Sequence, residues 1–448
     1  MVWDWSVDGW IMVAGALCAV AASLLGNFLV LRRLSLMGDA ISHSVLPGIV
    51  AAFLFSGTRG SVVVLIGAAS MGLLTVWLTE LIRKYGQVEE SAAIGVVFTS
   101  LFAVGLVMMV RAGDKIDLDP SCVLYGNLET IILDKVATPF GLVPRVVLAI
   151  SAVCLLNAIC VVGFFHQWQV STFDPLLSRA QGISPTVFHY VLASLVAVTC
   201  IASFEAVGNI LVVAMLVVPA ATAFLLCNRL HTMILSSVAI GAASAIAGHF
   251  LAISVPVAFG YRSVNSAAMM AVASGLFLVL AVIASPRAGV LVRWIEQRAV
   301  ARKIIGEDML ALLYRHSERM IPNEQKGVNR AALSSLEISM LLKITLNRLS
   351  SVASDLVRAG CISMSQSSMN QSSMTLTDHG LRVAQNLIRS HRLWEQYLSV
   401  EVNATDARLH AQAESLEHFT SSSMRDKLDA ETGQSTMDPH GRNIPPEG

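Results

Sequence analysis

Histidine and carboxylate side chains recur at helical spacing near the end of this 448-residue chain. His391 and Glu395 are four residues apart, and a second set of four such residues follows. Steps of three, four and seven return to one face of a helix, so these side chains can converge. Imidazole mixed with carboxylate suits Mn²⁺, Fe²⁺ or Zn²⁺ better than Ca²⁺, which predicts a transition-metal site. The alternative is a solvated helix face with i,i+4 pairs. The second set is His410, Glu414, Glu417 and His418.

A second pair of the same chemistry lies inside an apolar segment near the start of the chain. Asp39 and His43 are four residues apart and share one face of a helix. Ionisable residues in apolar spans usually mark a functional site, and this pair predicts a path for a divalent transition ion. Two donors suit a path that must release its ion. The alternative is a hydrogen-bonded pair that holds two helices together.

The charge distribution separates the two sets of candidate ligands. Residues Met1–Pro286 contain 25 Lys, Arg, Asp and Glu residues, whereas Arg287–Gly448 contain 37. The first part is too poor in charge to be solvated on all sides, and the second has the charge density of a soluble domain. We therefore expect a membrane part followed by a soluble tail.

The membrane part contains nine apolar segments of spanning or near-spanning length. Only Glu205-Ala206 separates the sixth and seventh, so one of these helices could be broken, and eight or nine crossings are expected. Basic residues in the short loops predict a cytoplasmic C-terminus. The segments are Trp10–Leu31, Leu36–Phe55, Ser61–Ile82, Ser91–Val110, Pro144–Phe165, Val187–Phe204, Val207–Cys227, Met233–Val255 and Ser266–Ser285.

A short loop on the predicted cytoplasmic side has the signals of a small helix. Asp174-Pro175 can start it, with proline at the first helical position, and Gly182 can end it. Such a helix could contact an ATPase subunit. The chain contains no phosphate-binding loop sequence, so we expect no bound nucleotide, no catalytic residues, and ATP hydrolysis on a separate chain. The candidate contact residues are Phe173, Asp174, Pro175, Arg179 and Gly182.

The tail first shows a pattern typical of helix-turn-helix proteins. We predict helices over Leu333–Leu342 and Leu346–Ala359, and a wing over Ser363–Met374. In a DNA reader the second helix would enter the major groove. The alternative is a winged helix that contacts only protein. The candidate DNA contacts are Asn347, Arg348, Ser350, Ser351 and Ser354.

Four motifs of the membrane part resemble the ABC-3 permeases, which are subunits of zinc, manganese and iron importers. The resemblance extends from about Trp10 to Arg287. It implies that Asp39 and His43 face the ion path. It also implies a second permease subunit, an ATP-binding subunit and an extracytoplasmic metal-binding protein. The motifs are Arg32–Gly48, Leu124–Asn127, Phe173–Pro175 and Val207–Ala223.

The tail contains four motifs, Leu376–Gly380, Leu387–Glu395, His410–His418 and Asp438–Pro445. By these motifs, the tail from about Glu307 to Pro445 resembles the diphtheria-toxin-repressor and manganese-regulator family of dimeric, metal-activated winged-helix repressors. Ala311 stands where manganese-selective members carry a carboxylate, and Glu414 where iron-type members carry cysteine. The resemblance implies a metal-responsive repressor and a homodimeric tail. The metal ligands that it implies are Asp308, His391, Glu395, His410, Glu414, Glu417 and His418.

The predicted fold class is an all-α polytopic membrane bundle followed by a cytoplasmic winged helix and a helical metal-binding and dimerisation domain. The expected function is a permease subunit in the cytoplasmic membrane that imports Mn²⁺, Fe²⁺ or Zn²⁺ and carries a metal-responsive DNA-binding domain. In the alternative, the tail senses metal and gates transport without binding DNA. Cleavage near Arg298–Pro322 could release the tail. The predicted domains are 1–286 (permease), 287–306 (basic linker), 307–376 (winged helix) and 377–448 (metal binding).

Overall fold

A computed structural model describes most of the chain. The described residues are 4–56, 61–111, 128–139, 141–260, 264–286, 289–320, 331–367, 371–401, 406–433 and 435–447. The predicted motif Leu124–Asn127 lies outside them. Contacts divide the chain into a membrane unit, Met1–Val292, and a tail unit, Arg293–Gly448. This division falls within the segment predicted as a linker.

The membrane unit is a helical bundle with one small hairpin outside the helices. The hairpin pairs β1 with β2 in antiparallel register from Lys135↔Pro144 to Thr138↔Gly141. A 3-10 helix, Leu128–Leu133, precedes it. The elements are α1 (Asp8–Leu31), α2 (Ser35–Ser44), α3 (Leu46–Ser56), α4 (Ser61–Gly86), α5 (Glu90–Arg111), β1 (Lys135–Thr138), β2 (Gly141–Pro144), α6 (Arg145–Gly163), α7 (Phe165–Phe173), α8 (Pro175–Ala180), α9 (Pro185–Leu226), α10 (Leu230–Ala258) and α11 (Ser266–Ala284).

Nine candidate membrane spans occur in the described part of the chain, in agreement with the nine predicted segments. The span Ser35–Phe55 comprises α2 and most of α3. Helix α9 contains two spans, because Gly208 interrupts it with φ 74° and ψ 166°. An L-residue rarely adopts this φ, so glycine permits the break between the sixth and seventh segments. The predicted polytopic membrane bundle is confirmed.

Helix α1 is central in the bundle and packs against α6, α9 and α10. Its closest approach is at Gly26, where an added Cβ would lie 1.8 Å from the backbone carbonyl oxygen of Leu216 in α9. Small residues allow such backbone contact between helices in lipid, where burial of apolar surface contributes little to association. Gly26 therefore sets the spacing between α1 and α9.

The tail unit contains helices, a three-stranded sheet and a C-terminal segment. Its first helix begins at Val290, inside the segment predicted as a linker, because the sequence that precedes Glu307 holds good helix formers and lacks proline. The elements are α12 (Val290–Met320), β3 (Leu333–Ser334), α13 (Ser335–Leu341), α14 (Leu346–Arg358), β4 (Ile362–Ser367), β5 (Gln371–Leu376), α15 (Asp378–Glu401), α16 (Asp406–Glu417) and α17 (Ser422–Glu431).

Helices α13 and α14 and the sheet have the element order of a winged helix-turn-helix. Ser334 and Glu337 form a capping box that starts α13, and Lys343 turns the chain with φ 53°. Strand β5 lies between β3 and β4, with Ile362 paired to Leu376. The first two residues of the predicted helix Leu333–Leu342 form β3 instead, because their backbone pairs with β5.

We expect Gly26→Ala to destabilise the membrane unit by about 1–3 kcal/mol, because the added methyl group overlaps backbone that can move only if α1 and α9 separate. The apparent Tm of the purified protein in detergent measures this. The matched control is Gly95→Ala in α5, where an added Cβ meets nothing within 4 Å. Equal Tm values for the two variants would contradict the role of Gly26 as the spacing residue.

Candidate metal sites

Helix α2 places Asp39 and His43, called the transport pair, beside each other. His43 Nε2 lies 3.4 Å from Asp39 Oδ1. The imidazole and carboxylate side chains are 27% and 43% exposed, so both can be reached from outside the bundle core. Phe98 and Phe102 of α5 line the other side of the imidazole, with ring centroids 6.0 and 5.4 Å away. The pair offers one nitrogen and one carboxylate donor against an apolar wall.

The loop that is predicted to contact an ATPase subunit forms the short helix α8. Asp174 caps it by accepting hydrogen bonds from the backbone N–H groups of Leu176 and Leu177, at 3.1 and 2.9 Å, and Pro175 is its first residue. Gly182 follows with φ 76°. Phe173 and Leu176 are exposed, so the loop presents apolar side chains to solvent or to a partner.

Arg32, at the end of α1, ties this loop to the bundle. Its guanidinium donates to Ser171 Oγ at 2.9 Å and to Thr172 Oγ1 at 3.2 Å, at the end of α7. The same group lies 5.8 Å from the ring of the buried Trp168. In the sequence, Arg32 stands out only as a basic residue of a short loop and as the first residue of the motif Arg32–Gly48. It joins the segment before α8 to the turn that leads into α2.

In the tail unit, α15 and α16 bring three predicted ligands together, called the His391 group. Glu395 Oε1 lies 3.1 Å from His391 Nε2 and 2.7 Å from His410 Nδ1. His391 and Glu395 are buried, whereas His410 is half exposed. One donor atom of each side chain lies within 4.8 Å of the others. Two imidazoles and a carboxylate at this spacing fit a divalent transition ion.

A second set, called the His418 group, also has one donor atom of each side chain within 4.8 Å of the others. Its members are Asp308, Glu417 and His418. His418 Nε2 lies 3.4 Å from Asp308 Oδ1 and 3.7 Å from Glu417 Oε1. The two groups adjoin, because His391 Nδ1 lies 2.5 Å from Glu417 Oε2. Helix α12 therefore contributes the carboxylate of Asp308, and the end of α16 contributes Glu417 and His418.

Glu414 is the predicted ligand that the structure leaves apart. Its side chain is exposed and belongs to neither group. Sequence reasoning in turn missed Glu307, whose Oε2 lies 2.7 Å from His418 Nδ1, and His440, whose Nε2 lies 3.9 Å from Glu395 Oε1. The turn Asp438-Pro-His-Gly is the signal for His440, because Asp438 Oδ1 accepts hydrogen bonds from the N–H groups of His440 and Arg442.

The charges in these groups stabilise one another. Hydrogen bonds to Asp308 and Glu307 raise the pKa of His418 to about 10. Burial opposes the charged form of His391, but its contacts with Glu395 and Glu417 outweigh burial and raise its pKa. Burial likewise opposes ionisation of Glu395, yet the hydrogen bonds with His391 and His410 lower its pKa to about 2. Without metal, protons on His391 and His418 thus balance part of the carboxylate charge, and a bound cation would replace those protons.

The predicted DNA-contact residues lie on α14, opposite its buried residues Leu349, Val352 and Ala353. Two of the hydroxyl groups bond their own helix, because Ser350 Oγ donates to Asn347 O and Ser354 Oγ to Ser350 O. Ser351 is half-buried, and the other four side chains are exposed: Asn347, Arg348, Ser350 and Ser354.

We expect metal binding by the tail to strengthen as pH rises from about 6 to 9, because the ion must displace protons from His391 and His418. Glu395, with a pKa of about 2, stays ionised throughout this range and adds no pH dependence. Calorimetry with Mn²⁺ in buffers of different ionisation enthalpy measures the protons released by the full-length protein. Binding without proton release would contradict the assigned protonation of the two histidines.

Comparison with known proteins agrees with the division into two units. The ABC 3 transport family matches residues 9–284, and the iron dependent repressor, metal binding and dimerisation domain matches residues 377–446. The manganese transport system membrane protein MntD of Bacillus subtilis is 39% identical over 290 residues, 64% of this chain and 95% of that protein. The zinc transport system membrane protein TroD of Treponema pallidum is 35% identical over 65% of this chain and 77% of that protein.

Among solved structures, PsaBC from Streptococcus pneumoniae in complex with Fab resembles this chain with a TM-score of 0.52 and 28% identity. The similarity covers 65% of this chain and 94% of that one. The membrane unit, Met1–Val292, makes up the same share of this chain. The chain therefore belongs to the ABC 3 transport family, as a multi-pass membrane permease subunit that carries a repressor-type metal-binding domain in the same polypeptide.

Proposed function

We propose that the membrane unit imports Mn²⁺ or a similar divalent transition ion, with Zn²⁺ and Fe²⁺ as the other candidates. The observation that carries this proposal is the transport pair, a carboxylate and an imidazole 3.4 Å apart in the candidate membrane span Ser35–Phe55. The relatives named for manganese and zinc transport support the same ion class. The weak, partly exposed pair suits an ion that must bind and then leave.

We propose that ATP hydrolysis by a separate subunit drives the transport. Helix α8 and the exposed Phe173 and Leu176 are the contact surface for that subunit. The contacts of Arg32 would carry a displacement of this loop to the turn before α2, which holds the transport pair. A second permease subunit and an extracytoplasmic metal-binding protein complete the importer. The basic residues in the short loops support a cytoplasmic location for α8 and the tail.

We propose that the tail is a metal-responsive repressor domain that works as a dimer. Helix α12 links its two parts, because Glu307 and Asp308 contact His418 while the neighbouring Met309 and Leu310 belong to the core of the winged helix. An ion that fixes α12 against α15 and α16 therefore also fixes the support of α14. Metal binding would thereby set the position of the DNA-contact residues.

The alternative function, metal sensing that gates transport without DNA contact, has one observation in its favour. The tail from Arg287 onward has a net charge of only +1, so it offers DNA little general attraction. Release by proteolysis has an obstacle of its own, because Arg298–Met320 is helical and a protease acts on locally unfolded chain. The low net charge of the tail and this obstacle to its release make the attached, gating tail the second candidate.

We expect Asp39→Ala and His43→Ala each to abolish most uptake of radiolabelled Mn²⁺ by cells that express the complete importer, because each removes one of the donors of the transport pair. Asp174→Ala, which removes the cap of α8, should lower uptake through the ATPase contact without changing metal binding to purified protein. Unaffected uptake in both transport-pair variants would remove the ion-path assignment.

For the tail, we expect the fragment Arg293–Gly448 to select specific sequences from random duplex DNA only when Mn²⁺, Fe²⁺ or Zn²⁺ is present. Glu417→Gln should abolish the selection, and Arg348→Ala should weaken it, while the exposed Glu414→Gln serves as the matched carboxylate control. Selection that does not depend on metal, or none with any of the three ions, would contradict the repressor role. The gating alternative then predicts that truncation after Lys303 leaves uptake active and no longer inhibited by cytoplasmic metal.

A further inference from the structure

Asn209 lies beside the transport pair although it is 166 residues away from His43 in sequence. It directly follows Gly208, whose positive φ breaks α9. Discontinuous helices in membrane transporters commonly form substrate sites at the break, because side chains and backbone groups there are not committed to a regular helix. The break thus brings a polar side chain from a second helix to the pair on α2.

The distances around His43 match those between ligands of one ion. Asn209 Nδ2 and Asp39 Oδ1 each lie 3.4 Å from His43 Nε2. Two ligand atoms about 2.1 Å from one ion, at a tetrahedral angle, are about 3.4 Å apart. Asp39 and Asn209 therefore each have an atom at the distance from His43 Nε2 that is expected between two ligands of one ion.

The amide oxygen of Asn209 is available for this role. Asn209 is only 6% exposed, and its Oδ1 has no hydrogen-bond partner among the described residues. A half-turn of the amide group exchanges Oδ1 with Nδ2 and places the oxygen 3.4 Å from His43 Nε2. A buried carbonyl oxygen without a partner is costly, and an ion held by the transport pair would satisfy it.

We propose that Asn209 is a third donor to the transported ion and that its neutral oxygen favours Mn²⁺ over Zn²⁺. Carbonyl and carboxylate oxygens suit Mn²⁺, whereas Zn²⁺ is usually bound by nitrogen, thiolate and carboxylate donors. This inference rests on the proposed function of the transport pair. It names the donor on α9 and the direction in which that donor shifts the selectivity of the site.

A purely structural role makes a different prediction. Asn209 could act through its N–H group, which would hold the imidazole of His43 in place without contacting the ion. Aspartate in this position keeps an oxygen donor but lacks the N–H group, whereas leucine has similar volume and lacks both. The substitutions Asn209→Asp and Asn209→Leu therefore separate metal ligation from positioning.

The test is binding of Mn²⁺ and of Zn²⁺ to the full-length protein in lipid nanodiscs. The double variant Asp39→Ala/His43→Ala defines the ions bound elsewhere in the chain, and the difference from the unsubstituted protein reports the membrane site. We expect Asn209→Leu to weaken Mn²⁺ binding at this site at least about tenfold, and Zn²⁺ binding by less. Asn209→Asp should retain Mn²⁺ affinity within about threefold.

The matched control is Asn157→Leu in α6. Asn157 is also buried and its amide oxygen is also without a partner among the described residues, but its amide donates to Ala21 O and Thr199 Oγ1 rather than facing His43. We expect this variant to bind Mn²⁺ as the unsubstituted protein does. Asn209→Ala, which only removes atoms, should reproduce the effect of Asn209→Leu and guards against misfolding of the larger substitution.

Three results would overturn the proposal. Unchanged Mn²⁺ binding in Asn209→Leu and Asn209→Ala excludes ligation. A loss in Asn209→Asp as large as in Asn209→Leu assigns the amide to positioning of His43. The third result is unchanged binding in Asp39→Ala/His43→Ala, which would contradict the proposed transport site together with this inference. The first two results contradict only the role of Asn209 and leave the transport pair in place.

Discussion

A carboxylate next to an imidazole is costly to remove from water unless each group stabilises the other, and both units of this chain depend on such pairs. In α2, Asp39 and His43 lie 3.4 Å apart within a membrane-spanning segment. In the tail, Glu395 contacts both His391 and His410, and Glu417 contacts His391. The surroundings of the two sets differ in a way that suits the two proposed tasks, transport and sensing. The membrane pair is partly exposed and has few donors, which favours passage of an ion. The tail groups are largely buried and richer in donors, which favours retention.

Glycine and small side chains set the geometry that these pairs need. Gly26 allows α1 to reach the backbone of α9, and Gly208 breaks α9 next to Asn209. Arg32 then connects the end of α1 with the segment before α8. The transport pair, the helix break and the contacts of Arg32 with the segment before α8 therefore involve helices α1, α2 and α9. Under the proposed function, a change in the position of α8 would reach the transport pair through packed backbone, since closely packed helices move together rather than deform.

The tail uses one helix for two purposes. Helix α12 presents Glu307 and Asp308 to His418, while Met309, Leu310 and Leu313 pack in the core that supports α14. The proposed ion binding and the position of α14, which carries the predicted DNA contacts, would thereby be joined through one helix. The near-zero charge of the tail means that affinity for DNA would have to come from local contacts, from dimerisation and from the ion neutralising the carboxylates. Import and sensing of the same ion class would then reside in one polypeptide.

Periodicity and composition in the sequence were sufficient to predict nine candidate spans, the helix-turn-helix elements and most residues of the two candidate metal groups, because these features depend on local spacing along a helix. The start of α12 at Val290 was missed, since the basic residues there suggested a linker rather than a helix. Glu414 has the right spacing yet lies exposed, whereas Glu307, His440 and Asn209 contact the sites from elsewhere in the chain. Spacing along one helix determines which side chains share a face. Which faces meet across helices, and which donors are left outside, depends on tertiary packing between segments that are far apart in sequence.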